Sequence, residues 1–302
     1  MSPAKKQTSS SGSGWLGSLF SWLRGSGRPV LIFSLLIGLF VGGVCVVWFK
    51  LRQRILSAPE YRVGPEQVEI TPLPPWIHTN IREFRAEVFR HPTLDGPLSI
   101  MDDGLAERIN KAFSQHAWVA KVERVTAHHP ASVQVELVYR EPVCMVDVSG
   151  LLLPVDKDGV LLPGEGFSPI EARRYPRLVG VERKPFVQPG GRWSDVTVIG
   201  GAEIAAALTP VWEKMQLQQI ISQPPTSNAR GSARESSFSL LTARGTKVLW
   251  GYAPGANVFG EPSVAEKVAR LQQYWSEYDS LDDPQGKPQQ LDIHTMRASP
   301  RP

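Results

Sequence analysis

The sequence predicts an α+β protein hung on one membrane anchor. Its expected parts are one N-terminal transmembrane helix, a strand–helix–helix–strand–strand module, and a mostly antiparallel β domain with flanking helices. Three observations predict this. Val30–Phe49 is a continuous apolar run without a charged residue. After it, two apolar stripes at helical spacing separate a short strand from a longer pair. Beyond residue 143, short strand-like segments bounded by turn residues dominate, with helical stripes between them.

The anchor comes first. A helix over VLIFSLLIGLFVGGVCVVWF covers about 30 Å, the thickness of a bilayer's hydrocarbon core. The run is longer than a secretory h-region, which spans about 7–15 residues, and it has no A-x-A-like cleavage site. Val44 before Cys45 does not fit a lipidation site, so an uncleaved anchor is expected over residues 29–50. Lys5, Lys6, Arg24 and Arg28 precede it; Lys50, Arg52, Arg54 and Arg62 follow. That near-tie leaves orientation open by charge, while the short tail and large C-terminal part fit an N-terminus inside. Ser34, Gly38 and Gly42 fall four apart, a small-residue face that allows close helix packing.

Residues 1–28, rich in Ser, Gly and basic residues, cannot bury a core and are expected to be a disordered cytoplasmic tail. Trp15, Leu16, Leu19, Phe20, Trp22 and Leu23 interrupt it and suit the membrane surface. Residues 51–64 are read as a linker, 222–236 as a flexible loop and 297–302 as a loose tail. The net charge of +4 is mild. With Cys45 in the membrane run and Cys144 far along the chain, no disulfide framework exists.

The module over 65–142 is built from matching stripes. Gln67–Thr71 alternates as a strand. Pro75 suits a first helical turn, with Ile77, Ile81, Phe84 and Val88 on one face. Ser99-Ile-Met-Asp102 matches a capping box ahead of Leu105, Ile109, Ala112 and Phe113. Asp102-Asp103 suits a helix N-terminus. Trp118–Ala127 is a mixed strand, His128-His129-Pro130 a turn, and Val133, Val135, Leu137 and Tyr139 share one face of the next strand. Two helices on one face of a small sheet would bury all these stripes together.

This layout resembles a POTRA domain. Val119–Val143, VAKVERVTAHHPASVQVELVYREPV, is similar to the POTRA end of the bacterial cell-division family FtsQ/DivIB, and the single anchor ahead of it points the same way. Residues 143–296 keep to the pattern. A hairpin is read over Leu151–Leu162 with Asp158-Gly159 at its turn, then Tyr175–Gly180. Gly201–Leu208 and Pro210–Ile220 read as helical, with Thr209 as a cap. Ser237–Leu241, Gly245 and Lys247–Gly251 form a second hairpin. Ser263-Val-Ala-Glu266 is a capping box that opens a helix with Val264, Val268, Leu271, Trp275 and Tyr278 on one face. Gln290–Thr295 is a short final strand. The loop 222–236 is longer than the family pattern, and His294-Thr295 stands where relatives tend to carry a basic residue and an aromatic.

No nucleophile elbow, phosphate loop, dinucleotide fingerprint or H-E-x-x-H occurs, so no catalytic residue is assigned. Asp156-Lys-Asp158-Gly159 resembles the start of a calcium loop, but Phe167 stands where the glutamate is needed, and a hairpin turn is the expected role. His128 and His129, adjacent on extended chain, point to opposite faces. His78, His91, His116 and His294 are isolated, so no metal site is expected, and no cofactor. The broken basic clusters at 173–177 and 183–184 do not form a nucleic-acid track.

The resemblance implies a non-enzymatic bitopic scaffold of the divisome. It implies the inner membrane, a cytoplasmic N-terminus and the division septum. FtsB/DivIC-like and FtsL-like single-span proteins are the implied partners, with no nucleic acid and no small-molecule substrate. Partner capture is expected by strand addition at the C-terminal edge, through Leu291, Asp292, Ile293, His294 and Thr295. The alternative reading is a POTRA-bearing anchored factor for envelope protein assembly.

Overall fold

The computed structural model describes residues 27–56, 59–223, 236–256 and 258–294. The expectations for the tail up to residue 26, for most of the 222–236 loop, for Thr295 and for residues 297–302 lie outside the described residues.

Helix α1 (Gly27–Leu56) is 30 residues long. Its stretch Ile32–Arg52 has a mean hydropathy of 2.5, and it is long and apolar enough to cross a membrane. The helix runs on past Phe49, so the first residues of the expected linker are helical. A Cβ at Gly38 or Gly42 would meet nothing.

Val63–Pro302 forms a separate compact unit containing two sheets. The first comprises β1 (Val68–Ile70), β2 (Val119–His128) and β3 (Ser132–Tyr139) in the order β1-β3-β2. Between β1 and β2 come α2 (Ile81–Val88) and α3 (Leu105–Ser114), so the order is the expected strand–helix–helix–strand–strand. β1 lies parallel to β3, and β2 antiparallel. Phe84 and Val88 from α2, Leu105, Ile109 and Phe113 from α3, and Val133, Val135 and Leu137 from β3 share one buried core. Helical and strand periodicities therefore converge on a single apolar layer.

Two helix starts differ from expectation. α2 opens at Ile81, not Pro75, because Asn80 Oδ1 accepts the N–H groups of Arg82 (3.0 Å) and Glu83 (2.9 Å). Ile77 is buried ahead of the helix instead of inside it. Ser99–Asp102 does not cap α3. Asp102 Oδ1 accepts the Gly104 N–H at 3.1 Å, which makes a further turn before the helix opens at Leu105.

The second sheet has seven strands: β4 (Cys144–Val148), β5 (Leu151–Val155), β6 (Arg177–Val179), β7 (Leu217–Gln223), β8 (Ser237–Thr242), β9 (Lys247–Tyr252) and β10 (Gln290–Asp292). Their order is β10-β9-β8-β7-β6-β4-β5. Helices α4 (Pro169–Ala172), α5 (Val196–Leu208) and α6 (Val264–Tyr278) accompany them. The α+β class holds, and antiparallel ladders carry most of the pairing in this sheet; three short pairings, β4–β6, β6–β7 and β9–β10, are parallel. α5 and α6 supply the crossovers that two of those pairings require. Both crossovers step in the same direction along parallel strands, so right-handed connections place both helices on one face, where they touch.

That face is a continuous apolar row. The registers align Leu153, Val146, Leu178, Ile220, Leu240, Val248 and Leu291, one residue from each strand. All seven belong to or pack on the core under the helices. α5 lies close because it is built from small residues: a Cβ on Gly201 would come 2.6 Å from both Leu178 methyls.

Three local expectations need correction. The hairpin partner of β5 is β4, joined through Ser149 and Gly150, both at positive φ (55° and 85°). The Asp158-Gly159 turn exists, yet it closes only one bridge, Val155–Leu161. The Pro210–Ile220 segment is not a helix. After Leu208 the chain makes turns, Gln216 takes φ 53°, and Leu217–Gln223 runs as β7 with Leu217 and Ile220 buried. Thr209 closes α5 and does not open a new helix; its hydroxyl donates to the Ala205 carbonyl at 3.0 Å. The β8–β9 hairpin and the Ser263–Glu266 capping box stand as expected.

Candidate partner-binding edge

β10 ends the seven-strand order, with β9 on one side of it. The Lys247 N–H donates to the Gln289 carbonyl (2.9 Å), and the Ile293 N–H donates to the Leu249 carbonyl (3.2 Å). Backbone polar groups alternate sides along a strand, so those of Leu291 and Ile293 face β9 and those of Gln290 and Asp292 turn outward. Side chains alternate too. Leu291 packs on the core and Ile293 is fully buried in it, while His294 is exposed.

The five expected residues are thus divided. Leu291 and Ile293 hold the strand to the sheet. Asp292 lies on the outward-turned part of the backbone. His294 lies past the strand, where its N–H is taken by Asp292 Oδ1 at 2.9 Å. Thr295 is outside the described residues. Gln290, which sequence reasoning did not assign, belongs to the outward-turned set.

A cluster that sequence reasoning missed holds this end of the sheet. Glu261 Oε1 accepts the Tyr252 N–H at 2.8 Å and pairs with the Lys267 ammonium. Glu261 Oε2 lies 3.3 Å from His294 Nε2. Lys267 also reaches the Tyr252 carbonyl at 3.3 Å and sits 5.0 Å from the centre of the Trp250 ring. Burial lowers the Lys267 pKa, and Glu261 partly offsets it. Arg270 Nη1 donates to the carbonyls of Ile293 (2.9 Å) and His294 (3.2 Å). One signal in the sequence pointed here: Lys267 falls on the apolar face of α6, between Val264 and Leu271, where a cation needs a buried partner.

At the start of β10, the Gln289 N–H donates to Thr246 Oγ1 at 3.0 Å, and Gln289 Nε2 donates to the Leu281 carbonyl at 2.8 Å. The strand is three residues long and tied at both ends.

The opposite edge, β5, is built differently. The Met145 N–H donates to the Pro176 carbonyl at 2.8 Å, so the Met145–Pro154 pair exchanges no hydrogen bond. The Pro154 carbonyl accepts from the Leu162 N–H at 2.9 Å, on the outer side. Proline therefore removes a donor from the outer side of that edge, a device that discourages strand addition.

The Asp156 carboxylate is committed within the protein. Oδ1 accepts the Asp158 (2.9 Å) and Val160 (2.8 Å) N–H groups, and Oδ2 pairs with Arg140 Nη1 at 2.6 Å. Among the described residues no group of three or more His, Cys, Asp or Glu side chains could hold a metal ion.

No family model matches the chain. The chain is 27% identical over 175 residues to the cell division protein FtsQ of Anaeromyxobacter sp. (strain K), a match that covers 56% of this chain and 50% of that relative. The chain thus spans about half the length of the relative it matches. That similarity to an FtsQ cell division protein stands beside the N-terminal apolar helix and the α+β fold.

Proposed function

We propose that this protein is a non-enzymatic, single-span scaffold of the bacterial division machinery, with its N-terminus in the cytoplasm and its two sheets outside the inner membrane. It gathers other single-span division proteins of the FtsB/DivIC and FtsL type at the septum. It takes a segment of one of them as an added strand along β10. The observation that carries this reading is the contrast between the two sheet edges: β5 has Pro154 on its outer side, whereas β10 turns the Gln290 backbone outward.

Gln290→Pro tests the reading, because it copies the Pro154 device onto β10. Gln290 is exposed, and its N–H faces away from β9. Full-length protein in micelles, wild type and variant, is passed over an immobilised FtsB/DivIC-type outer segment. Loss of capture with an unchanged melting temperature is the expected result; equal capture by both refutes strand addition at this edge. A fluorescent fusion tests the setting, with midcell signal expected and a uniform envelope signal counting against it.

A further inference from the structure

We propose that Glu261 is a positioning residue for the C-terminal edge: by holding His294 it fixes where β10 stops following the sheet, and so sets the length of strand offered to a partner. The inference rests on the reading of β10 as the partner-binding edge.

Glu261 uses its two oxygens for different tasks. Oε1 serves the interior, taking the Tyr252 N–H and the Lys267 ammonium. Oε2 faces His294 Nε2 at 3.3 Å. The Glu261 side chain is only 9% exposed, and Lys267 holds its charge in place, so it cannot swing away to follow a mobile strand end. The carboxylate is a fixed post, and His294 is the part that engages it.

The backbone beneath is shaped for the contact. Gly251 has φ 90°, a conformation that favours glycine. A Cβ there would lie 2.5 Å from Glu261 Oε1 and 2.6 Å from His294 Nε2. The glutamate–histidine pair fills the space that any other residue's side chain would need. Arg270 adds a second hold through the Ile293 and His294 carbonyls. Just beyond β10, then, side chains from the β9–α6 connection and from α6 seize the chain. A partner strand has the Gln290–Asp292 register to follow and meets this clamp at its end.

The reporter is the Ile293 amide, the last rung to β9. In the full-length protein in micelles, His294→Ala is expected to speed hydrogen exchange at Ile293 about fivefold, the scale of one partly exposed polar contact. The Leu240 and Val248 amides in the sheet centre keep their rates. His294→Arg, which again places a nitrogen donor opposite Glu261, is expected to return Ile293 to the wild-type rate. Release of a bound FtsB/DivIC-type segment accelerates by a similar factor in His294→Ala and recovers in His294→Arg. Unchanged exchange at Ile293 overturns the clamp. Faster exchange with unchanged partner release overturns its role in positioning a partner. Gln290→Pro then shows separately whether the edge reading survives: lost capture in that variant keeps it, and retained capture removes it.

Discussion

Burial strips water from the Lys267 ammonium, and the fold replaces it with Glu261, the Tyr252 carbonyl and the face of Trp250. Such a pair costs desolvation on both sides, so breaking it from one side is worse than never having built it. Lys267→Met leaves Glu261 buried without its cation and is expected to lower stability by about 3 kcal/mol in urea unfolding. Glu261→Met together with Lys267→Met should recover most of that loss. His116 is a second base with a buried side chain, and its pKa moves in the same direction. Its ring packs on Phe84 with centroids 4.1 Å apart, and Nδ1 accepts the Trp118 N–H at 3.3 Å. Nε2 lies 3.5 Å from Glu87 Oε2, near enough for ionic attraction but not aligned as a hydrogen bond. Burial lowers the His116 pKa, and Glu87 offsets only part of it. The folded protein therefore binds this proton less readily than the unfolded chain does. The contribution of neutral His116 to stability is complete above the ordinary histidine range of about 6.5 and is lost as pH falls below it. The urea midpoint should drop between pH 7.5 and 5.5, and His116→Gln should reduce that drop.

Helix α5 shows how an element can be fixed by what its residues lack. An interior glycine usually costs a helix about 1 kcal/mol against alanine, so Gly201→Ala would ordinarily stabilise. Here the added methyl would lie 2.6 Å from both methyls of Leu178, which is itself fully buried. Overpacking of a filled core costs about 1–3 kcal/mol and outweighs the propensity gain. Gly201→Ala is therefore expected to lower the melting temperature, and the same substitution should cost less in a Leu178→Ala background, where the crowding methyls are gone. The same element level marks where sequence reading succeeds. Alternation in Val133–Leu137 and the stripe of α6 were legible because one face of each is buried against one partner. β7 was not legible: Leu217, Ile220 and Ser222 are buried with polar Gln218 and Gln219 between, and the spacing of Leu217 and Ile220 fits a helix as well as a strand. Parallel pairing was also hidden, because it depends on which strands become neighbours across a crossover. At the candidate site, Leu291–His294 could be read as a terminal segment. The Glu261–Lys267 hold on it could not, since it joins residues far apart in the chain through space.

At the scale of the whole Val63–Pro302 unit, two cores meet through one short stretch of chain. Leu162, which follows β5, is buried in the core of the first sheet, and Phe167 packs on that core with its ring 5.3 Å from His78 and 6.4 Å from Trp118. The Asp156 turn that brings them there is bonded to Arg140, the residue just after β3. Trp76 Nε1 donates to the Arg140 carbonyl at 3.0 Å and holds that residue from the other side. The carboxylate thus shapes the turn through two backbone N–H groups and neutralises a largely buried guanidinium. Asp156→Ala removes both roles and leaves Arg140 without its anion, a loss of about 3 kcal/mol. Because the lost contacts lie between the cores, the effect should show as lost cooperativity as well as lost stability. Wild-type protein is expected to unfold both sheets together, with the Val135 and Leu240 amides exchanging at the same denaturant midpoint. In Asp156→Ala the two amides should separate. If they still move together, the packing of Leu162 and Phe167 couples the cores without Asp156, and Phe167→Ala should then be the variant that divides them.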